Sequence, residues 1–321
     1  MAVFFDSEKG IWNTSVLEFS LMLEDALRHD LQSYITLITG VVLAVLGPLT
    51  TIANAIVIAA IWKDPFKQLR RSPSNIIIAS MATCDVLVGT ICSVLLAFWF
   101  ISLSLDAQLP NYYTLVTVAL TSSLIGISIM HVLALTIDRI VAVANPLLYK
   151  SRVTRKRVLT AVFLIWISIL AVELLQIPNH KTSTIMTMVI MVVFGVVEIT
   201  LSILWVYIIV TVRKETKKIR TNVGLGGDTR TFLERERKTT KAILTVLVLF
   251  LICFPPFQIT FMIGLLCFSC KGHLNVLLTL LCFSTIVANS NSLVNPFLYA
   301  FRLPKFAKPI ALILKLLCPC T

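Results

Sequence analysis

Long apolar runs, separated by short polar and basic connections, set the pattern of this chain. They fall at about 34–62, 74–101, 110–144, 156–177, 183–213, 239–266 and 273–301. Each meets the requirement of about 20 mostly apolar residues for a helix crossing the bilayer hydrocarbon. The pattern predicts an all-α membrane protein, a seven-transmembrane helix bundle. Runs three and five exceed the minimum and are expected to tilt or to extend into the cytosol. Beyond the last run, Phe306, Ile310, Ile313, Leu314 and Leu317 alternate with Lys305, Lys308 and Lys315. This reads as a short amphipathic eighth helix lying on the inner leaflet. The chain thus divides into an extracellular segment (1–33), a seven-span domain (34–301) and a cytoplasmic amphipathic helix with tail (302–321).

Basic residues orient the bundle. Lys63, Lys67, Arg70 and Arg71 lie in the first connection, and Lys150, Arg152, Arg155, Lys156 and Arg157 lie in the third. The fifth runs from Arg213 to Lys241, and Arg302, Lys305, Lys308 and Lys315 follow the last span. The other side carries Lys9, Arg28, Lys181 and Lys271. Positive-inside logic puts the N-terminus outside and the C-terminus in the cytoplasm. The net charge of +12 is this asymmetry; no basic-aromatic groove for nucleic acid accompanies it. At 57% hydrophobic and 14% charged residues, the composition excludes a soluble enzyme of ordinary make-up. The first segment has no cleavable signal-peptide pattern, so span one is expected to act as the signal anchor. Asn13-Thr14-Ser15 is a glycosylation sequon on the predicted outside, giving Asn13 as the acceptor.

Cys84, Cys92, Cys253 and Cys282 fall within apolar spans, where a buried thiol is the default. Cys267 and Cys270 sit in the outer loop between spans six and seven, where a local disulfide fits an oxidising compartment. Cys318 and Cys320 follow the amphipathic stretch and are palmitoylation candidates, which would add membrane lipid as a partner.

Two motifs are more specific. Asn295-Pro296-Phe297-Leu298-Tyr299 stands near the inner end of span seven, and Asp138-Arg139-Ile140 ends span three. A proline in a membrane helix frees a backbone carbonyl, and a neighbouring Asn can satisfy it or bind water. With these residues the chain resembles the rhodopsin-like (class A) G-protein-coupled receptors over roughly 34–317. Trp166 in span four and Pro146 and Tyr149 of Asn145-Pro146-Leu147-Leu148-Tyr149 also match that family.

The resemblance implies sites. Asp85 lies mid-span, where an ionisable residue costs roughly 2.5–3.5 kcal/mol on insertion scales and needs a partner or a task. At the positions of Asp85, Asn54, Ser128, Asn291, Ser292 and Asn295 the family lines an interior water and sodium site. Carboxylate, hydroxyl and amide oxygens suit a hard monovalent cation, and a dry helix-packing network is the alternative. Glu236 matches the acid that pairs with Arg139 in resting receptors. Tyr207 and Tyr299 match tyrosines that swing inward on activation. Phe254 stands where a Trp toggle is usual, with Pro256 as the helix kink and Phe250 as the aromatic that repacks. Pro255 adds a second residue without a donor.

Departures from the family carry information too. Thr114 stands near the expected outer cysteine of span three, the Ile177–Thr182 connection has no cysteine, and Ile199 stands near the usual proline of span five. These absences resemble the branch that holds melanocortin, cannabinoid, lysophospholipid and adenosine receptors. That branch's ligand residues do not carry over. Thr121 replaces the Asp that holds amines in amine receptors, and Thr117 and Val118 replace an Arg-Glu pair for phospholipid headgroups. Phe261 replaces an Asn for adenosine, and Asn289 replaces the retinal lysine. The matching positions predict a pocket lined by Thr121, Ser122, Ile125, Phe257, Gln258, Phe261, Thr285 and Asn289. Glu173 and Glu198 are acids within spans four and five, either ligand acids or neutral hydrogen-bonded carboxyls.

No catalytic motif, phosphate loop or metal-ligand cluster stands out, so the chain reads as a transducer rather than an enzyme. The resemblance implies a plasma-membrane receptor that senses an unidentified extracellular ligand and activates heterotrimeric G proteins. A ligand-independent receptor-like protein is the alternative, and a transporter is a lesser one, since no internal repeat is visible. Arrestin is a further partner; beyond Tyr299 the sole hydroxyl residue is Thr321, so recruitment falls to the loop threonines Thr216, Thr221, Thr229, Thr231, Thr239 and Thr240.

Overall fold

A computed structural model describes residues 30–64, 69, 72–107, 109–176, 180–221, 227–266 and 274–317. Among them, seven helices are long and apolar enough to cross a membrane. Span one is Asp30–Lys63 and span two is Ser74–Ser104. Span three is Asn111–Ala144, span four Arg155–Gln176 and span five His180–Thr221. Span six is Gly227–Leu266 and span seven Leu274–Arg302. A short helix, Pro146–Arg152, links spans three and four, and a terminal helix covers Pro304–Leu317. Span one starts four residues before the apolar run suggests, and spans five and six run well past theirs. Polar sequence continues an α-helix as readily as apolar sequence once a nucleus exists, so hydropathy marks the membrane and not the helix end.

Span two contains an element that its apolar run does not reveal. It breaks from α into one π-turn at Val88–Cys92 before resuming at Ser93. Gly89 in that turn faces Gly47 of span one, and a Cβ on Gly89 would sit 2.6 Å from the Gly47 carbonyl oxygen. One on Gly47 would sit 2.7 Å from the Gly89 carbonyl oxygen. Two absent side chains therefore let spans one and two touch backbone to backbone. The extra residue in a π-turn rotates everything after it by about 100°. Leu96, Trp99 and Phe100 are thereby buried in an outer apolar cluster with Leu43, Leu278 and Leu281.

A larger inner cluster joins spans one, two, three, five, six and seven through residues such as Ile78, Leu135, Leu201, Leu247 and Phe250. Spans four and five bury the smallest share of their length, so their apolar surfaces form the lipid-facing edge.

The terminal helix turns one row of its apolar face toward the bundle. Phe306, Ile310 and Ile313 are buried in the inner cluster. Leu314 remains exposed, together with Leu312. Spaced at i, i+4 and i+7, the buried three form one helix row, which packs on span one and on Tyr299. The Lys305 ammonium donates to Asn75 Oδ1 at 2.9 Å. Asn75 donates to the Leu69 carbonyl at 2.7 Å, and the Leu69 amide donates to Asp64 at 2.9 Å. Asp64 adopts a left-handed backbone at φ 35°, so the first inner connection turns tightly there.

Candidate functional site

All eight residues of the expected pocket line one cavity, enclosing about 130 Å³ between spans two, three, five, six and seven. Phe257 and Phe261, one helical turn apart, stack at 6.0 Å. Several polar groups here are committed to nearby carbonyls, whereas the buried hydroxyls of Thr117 and Thr121 make no hydrogen bond among the described residues. Ser122 donates to Ala119 at 3.1 Å, Thr285 to Leu281 at 2.7 Å and Asn289 to Thr285 at 2.9 Å. Gln258 donates across to the Met191 carbonyl of span five at 2.7 Å. The remaining surface is apolar with few polar handles, the profile of a small-ligand site. Glu198 also lines the cavity and is only 8% exposed. Its Oε1 makes no hydrogen bond. Glu173 is likewise buried, but it lines no part of the cavity and hydrogen-bonds Ser122.

Phe254 forms the cavity floor and touches Phe250, with ring centroids 4.5 Å apart. Phe250 is fully buried in the inner cluster. The aromatic pair thus connects the cavity to the packing between the inner ends of the spans. Pro255 and Pro256 lie within the continuous helix of span six.

Below the cavity, Asp85 is 1% exposed. It accepts from Asn295 at 3.0 Å and from Ser292. Asn54 of span one donates to the Ser292 carbonyl at 3.0 Å. Spans one, two and seven therefore close on one carboxylate. Ser128 departs from the expected arrangement, lying 3.4 Å from the Cys84 sulfur instead of bonding Asp85. Buried amide oxygens of Asn54 and Asn291 make no hydrogen bond. Both are neutral acceptors, and unpaired buried acceptors are rare.

At the inner end, Arg139 is 2% exposed. Its Nε donates to Asp138 at 2.9 Å, and its terminal nitrogen pairs with Asp138 and Ser74. Ser74 donates to Asp138 at 2.8 Å, and Tyr149 donates to the other carboxylate oxygen at 3.0 Å. The guanidinium also lies 5.9 Å from the centre of the Tyr149 ring. Burial and the Asp138 charge push the Tyr149 phenol up to about 12, so it remains a donor at neutral pH. Tyr299 is buried, its hydroxyl donating to the Met81 sulfur at 3.6 Å, whereas Tyr207 is 49% exposed. The two tyrosines are not brought together, and Arg139 is folded back onto its own Asp.

The model of the 7 transmembrane receptor (rhodopsin family) matches residues 53–299. The chain belongs to that family. Similar curated proteins are adenosine receptor A2a of Homo sapiens, 26% identical over 88% of this chain and 72% of that receptor. Adenosine receptor A3 of Ovis aries is 27% identical over 84% of this chain and 87% of its own length. Melanocortin receptor 4 of Danio rerio is 26% identical over 85% and 82%. With seven membrane-length helices, this rhodopsin-family receptor is a multi-pass membrane protein.

Several expected residues lie outside the described part of the receptor: Asn13, Cys267, Cys270, Cys318, Cys320 and the side chains of Glu236 and Pro146. Other residues escaped the sequence reading. Ser74 closes the Arg139 cluster from the start of span two. His131 is fully buried, its Nδ1 2.7 Å from the Ile127 carbonyl and its Nε2 2.7 Å from Ser80. A carbonyl only accepts, so Nδ1 carries the proton and Nε2 accepts from Ser80. Trp166 donates to the same Ser80 hydroxyl at 2.9 Å. The family tryptophan of span four is thus tied through one serine to a histidine of span three, with each polar atom satisfied.

Proposed function

We propose that this receptor converts binding of an extracellular ligand in the cavity into activation of a heterotrimeric G protein at its cytoplasmic face. One observation carries the reading: the Phe254–Phe250 ring pair joins the cavity to the inner cluster of the bundle, whose third span ends in a buried Arg139 paired with Asp138. A ligand pressing on Phe254 repacks Phe250, which loosens the inner ends of spans three and six. Release of Arg139 then opens the cleft for the G protein, a two-state element biased by ligand. The receptor sits in the plasma membrane with its N-terminus outside, as the Lys and Arg distribution supports. Arrestin engages the third inner loop.

Asp85 and Asn295, with Ser292, Asn54 and Asn291, form a sodium site that favours the closed state. A buried carboxylate beside amide oxygens that lack partners fits a small hard cation. Ser128 joins the site if its hydroxyl turns from Cys84.

The test is a second-messenger assay with a promiscuous G protein, comparing the receptor with Arg139→Ala at equal surface expression. Loss of basal and ligand-driven output in the variant is expected. Solute flux through the wild-type protein without G-protein output would overturn the reading in favour of transport.

A further inference from the structure

Toward spans five and six the cavity ends at a shared wall. A second space lies between spans five and six, and it shares Met191, Glu198 and Gln258 with the first. It is a groove of about 800 Å³ on the lipid-facing side. Val192, Ile199 and Ile259, which line it, are between 58% and 64% exposed. By contrast, the inner cavity's 130 Å³ falls below the roughly 300–1,000 Å³ of ordinary ligand sites. The two together make a site of ordinary size.

Two features bear on passage between the two spaces. Gly195 has no side chain where the spans approach, and a Cβ there would lie 3.2 Å from Gln258 Nε2. The flexible Gln258 side chain, held by its bond to the Met191 carbonyl, stands in the way. The side chain of Glu198 stands at the junction. It lies midway along the apolar run at about 183–213, hence near the middle of the hydrocarbon. Among the described residues its buried Oε1 has no hydrogen-bond partner, and no Lys, Arg or His lines either space. Glu173, the other buried glutamate of these spans, hydrogen-bonds Ser122 and lines neither space.

We propose that this receptor takes a long-chain amine that reaches the site sideways through the bilayer, its ammonium on Glu198 and its chain in the groove between spans five and six. The idea rests on the cavity being the ligand site. An acid at mid-membrane is relieved either by taking up a proton or by an opposite charge, and an ammonium brought to Glu198 supplies the second. An amphiphile dissolved in the bilayer delivers that charge together with an apolar tail that matches Val192, Ile199 and Ile259. Displacing the Gln258 amide from Met191 opens the gap. Gln258 lies one helical turn from Phe254 on span six, so docking couples directly to the proposed switch.

The experiment uses the full chain in phosphatidylcholine nanodiscs and follows its unfolding midpoint against dodecylamine, dodecanol, dodecanoate and propylamine. Dodecylamine alone should raise the midpoint saturably. Half-saturation should weaken about tenfold or more in Glu198→Gln, as loss of a charge-assisted bond implies, and less in Glu198→Asp. Gly195→Leu, which fills the passage, should abolish the effect. If Glu198→Gln does not fold, the Glu198→Asp and Gly195→Leu comparisons decide. Equal stabilisation by dodecanol overturns the charge pairing, and equal stabilisation by propylamine overturns lateral access. An effect unchanged in both Glu198→Asp and Gly195→Leu overturns the site. G-protein nucleotide exchange on the same discs is scored separately. Exchange without amine stabilisation overturns the amine alone, whereas amine stabilisation without any exchange leaves the site standing and overturns the signalling role.

Discussion

Replacing Ser74 with Ala should raise ligand-independent signalling. Its hydroxyl donates to Asp138 and accepts from Arg139, and all three residues are at least nine-tenths buried. Hydrogen bonds to charged groups are worth about 1.5–3 kcal/mol each when lost outright. The loss here is smaller, because Asp138 and Arg139 stay paired and Tyr149 still holds the second carboxylate oxygen. We take about 1 kcal/mol as the share that favours the closed state. At about 1.4 kcal/mol per decade, this shifts the equilibrium about fivefold. A receptor with about 1% of its molecules open at rest would move to about 5%. The assay is basal G-protein nucleotide exchange in membranes, with surface expression matched. Ser74→Thr, which keeps the hydroxyl, serves as the control. Basal exchange that is unchanged or lowered by Ser74→Ala would refute the clamp. Tyr149→Phe should act in the same direction, and because both side chains share Asp138 the double variant should give less than the sum.

Asp85→Asn should abolish sodium dependence of agonist affinity, since the charge that attracts the cation is gone; equal sodium sensitivity in wild type and variant would exclude an ion at Asp85. Glu236→Ala should raise basal output a few-fold at most, because Arg139 keeps its pairing with Asp138; unchanged output means that this acid does not hold the closed state. Gly89→Ala should destabilise the receptor by about 1–3 kcal/mol, the ordinary cost of overpacking. Its new methyl would lie 2.6 Å from the Gly47 carbonyl oxygen and 2.5 Å from Thr51 Oγ1. An unfolding midpoint equal to wild type would show that spans one and two separate freely.

The seven spans were legible because the bilayer imposes a length on apolar runs that no other rule produces. The π-turn at Val88–Cys92 was not, since it depends on two glycines 42 positions apart meeting across helices. Periodicity in the terminal helix gave an apolar face correctly, yet it could not say what covers that face. The row Phe306, Ile310 and Ile313 found the bundle before it found the lipid. The Asp138–Arg139 pair was visible as neighbours, whereas Ser74 joins it from 64 residues away and His131 reaches Ser80 over 51. Family matching supplied all eight positions around the cavity. Their roles as ligand contacts remain part of the proposal.

Glu198 marks where matching positions stops being informative. Within a helix that is apolar on nearly every side, periodicity does not assign a face to a single acid. Position matching by itself finds Thr121 where amine receptors place their Asp, and concludes that a charged amine has no anchor. In the folded molecule Thr121 and Glu198 line the same cavity from spans three and five. A ligand recognises a charge by its place in space, so an acid lost from one wall can be supplied by another. Moving the acid also moves the direction of approach. A carboxylate on span three faces the aqueous mouth of a bundle, whereas Glu198 shares a wall with the groove between spans five and six. The same residue that restores an amine anchor therefore selects amines that arrive through lipid, and Gly195 and Gln258 set how readily they pass.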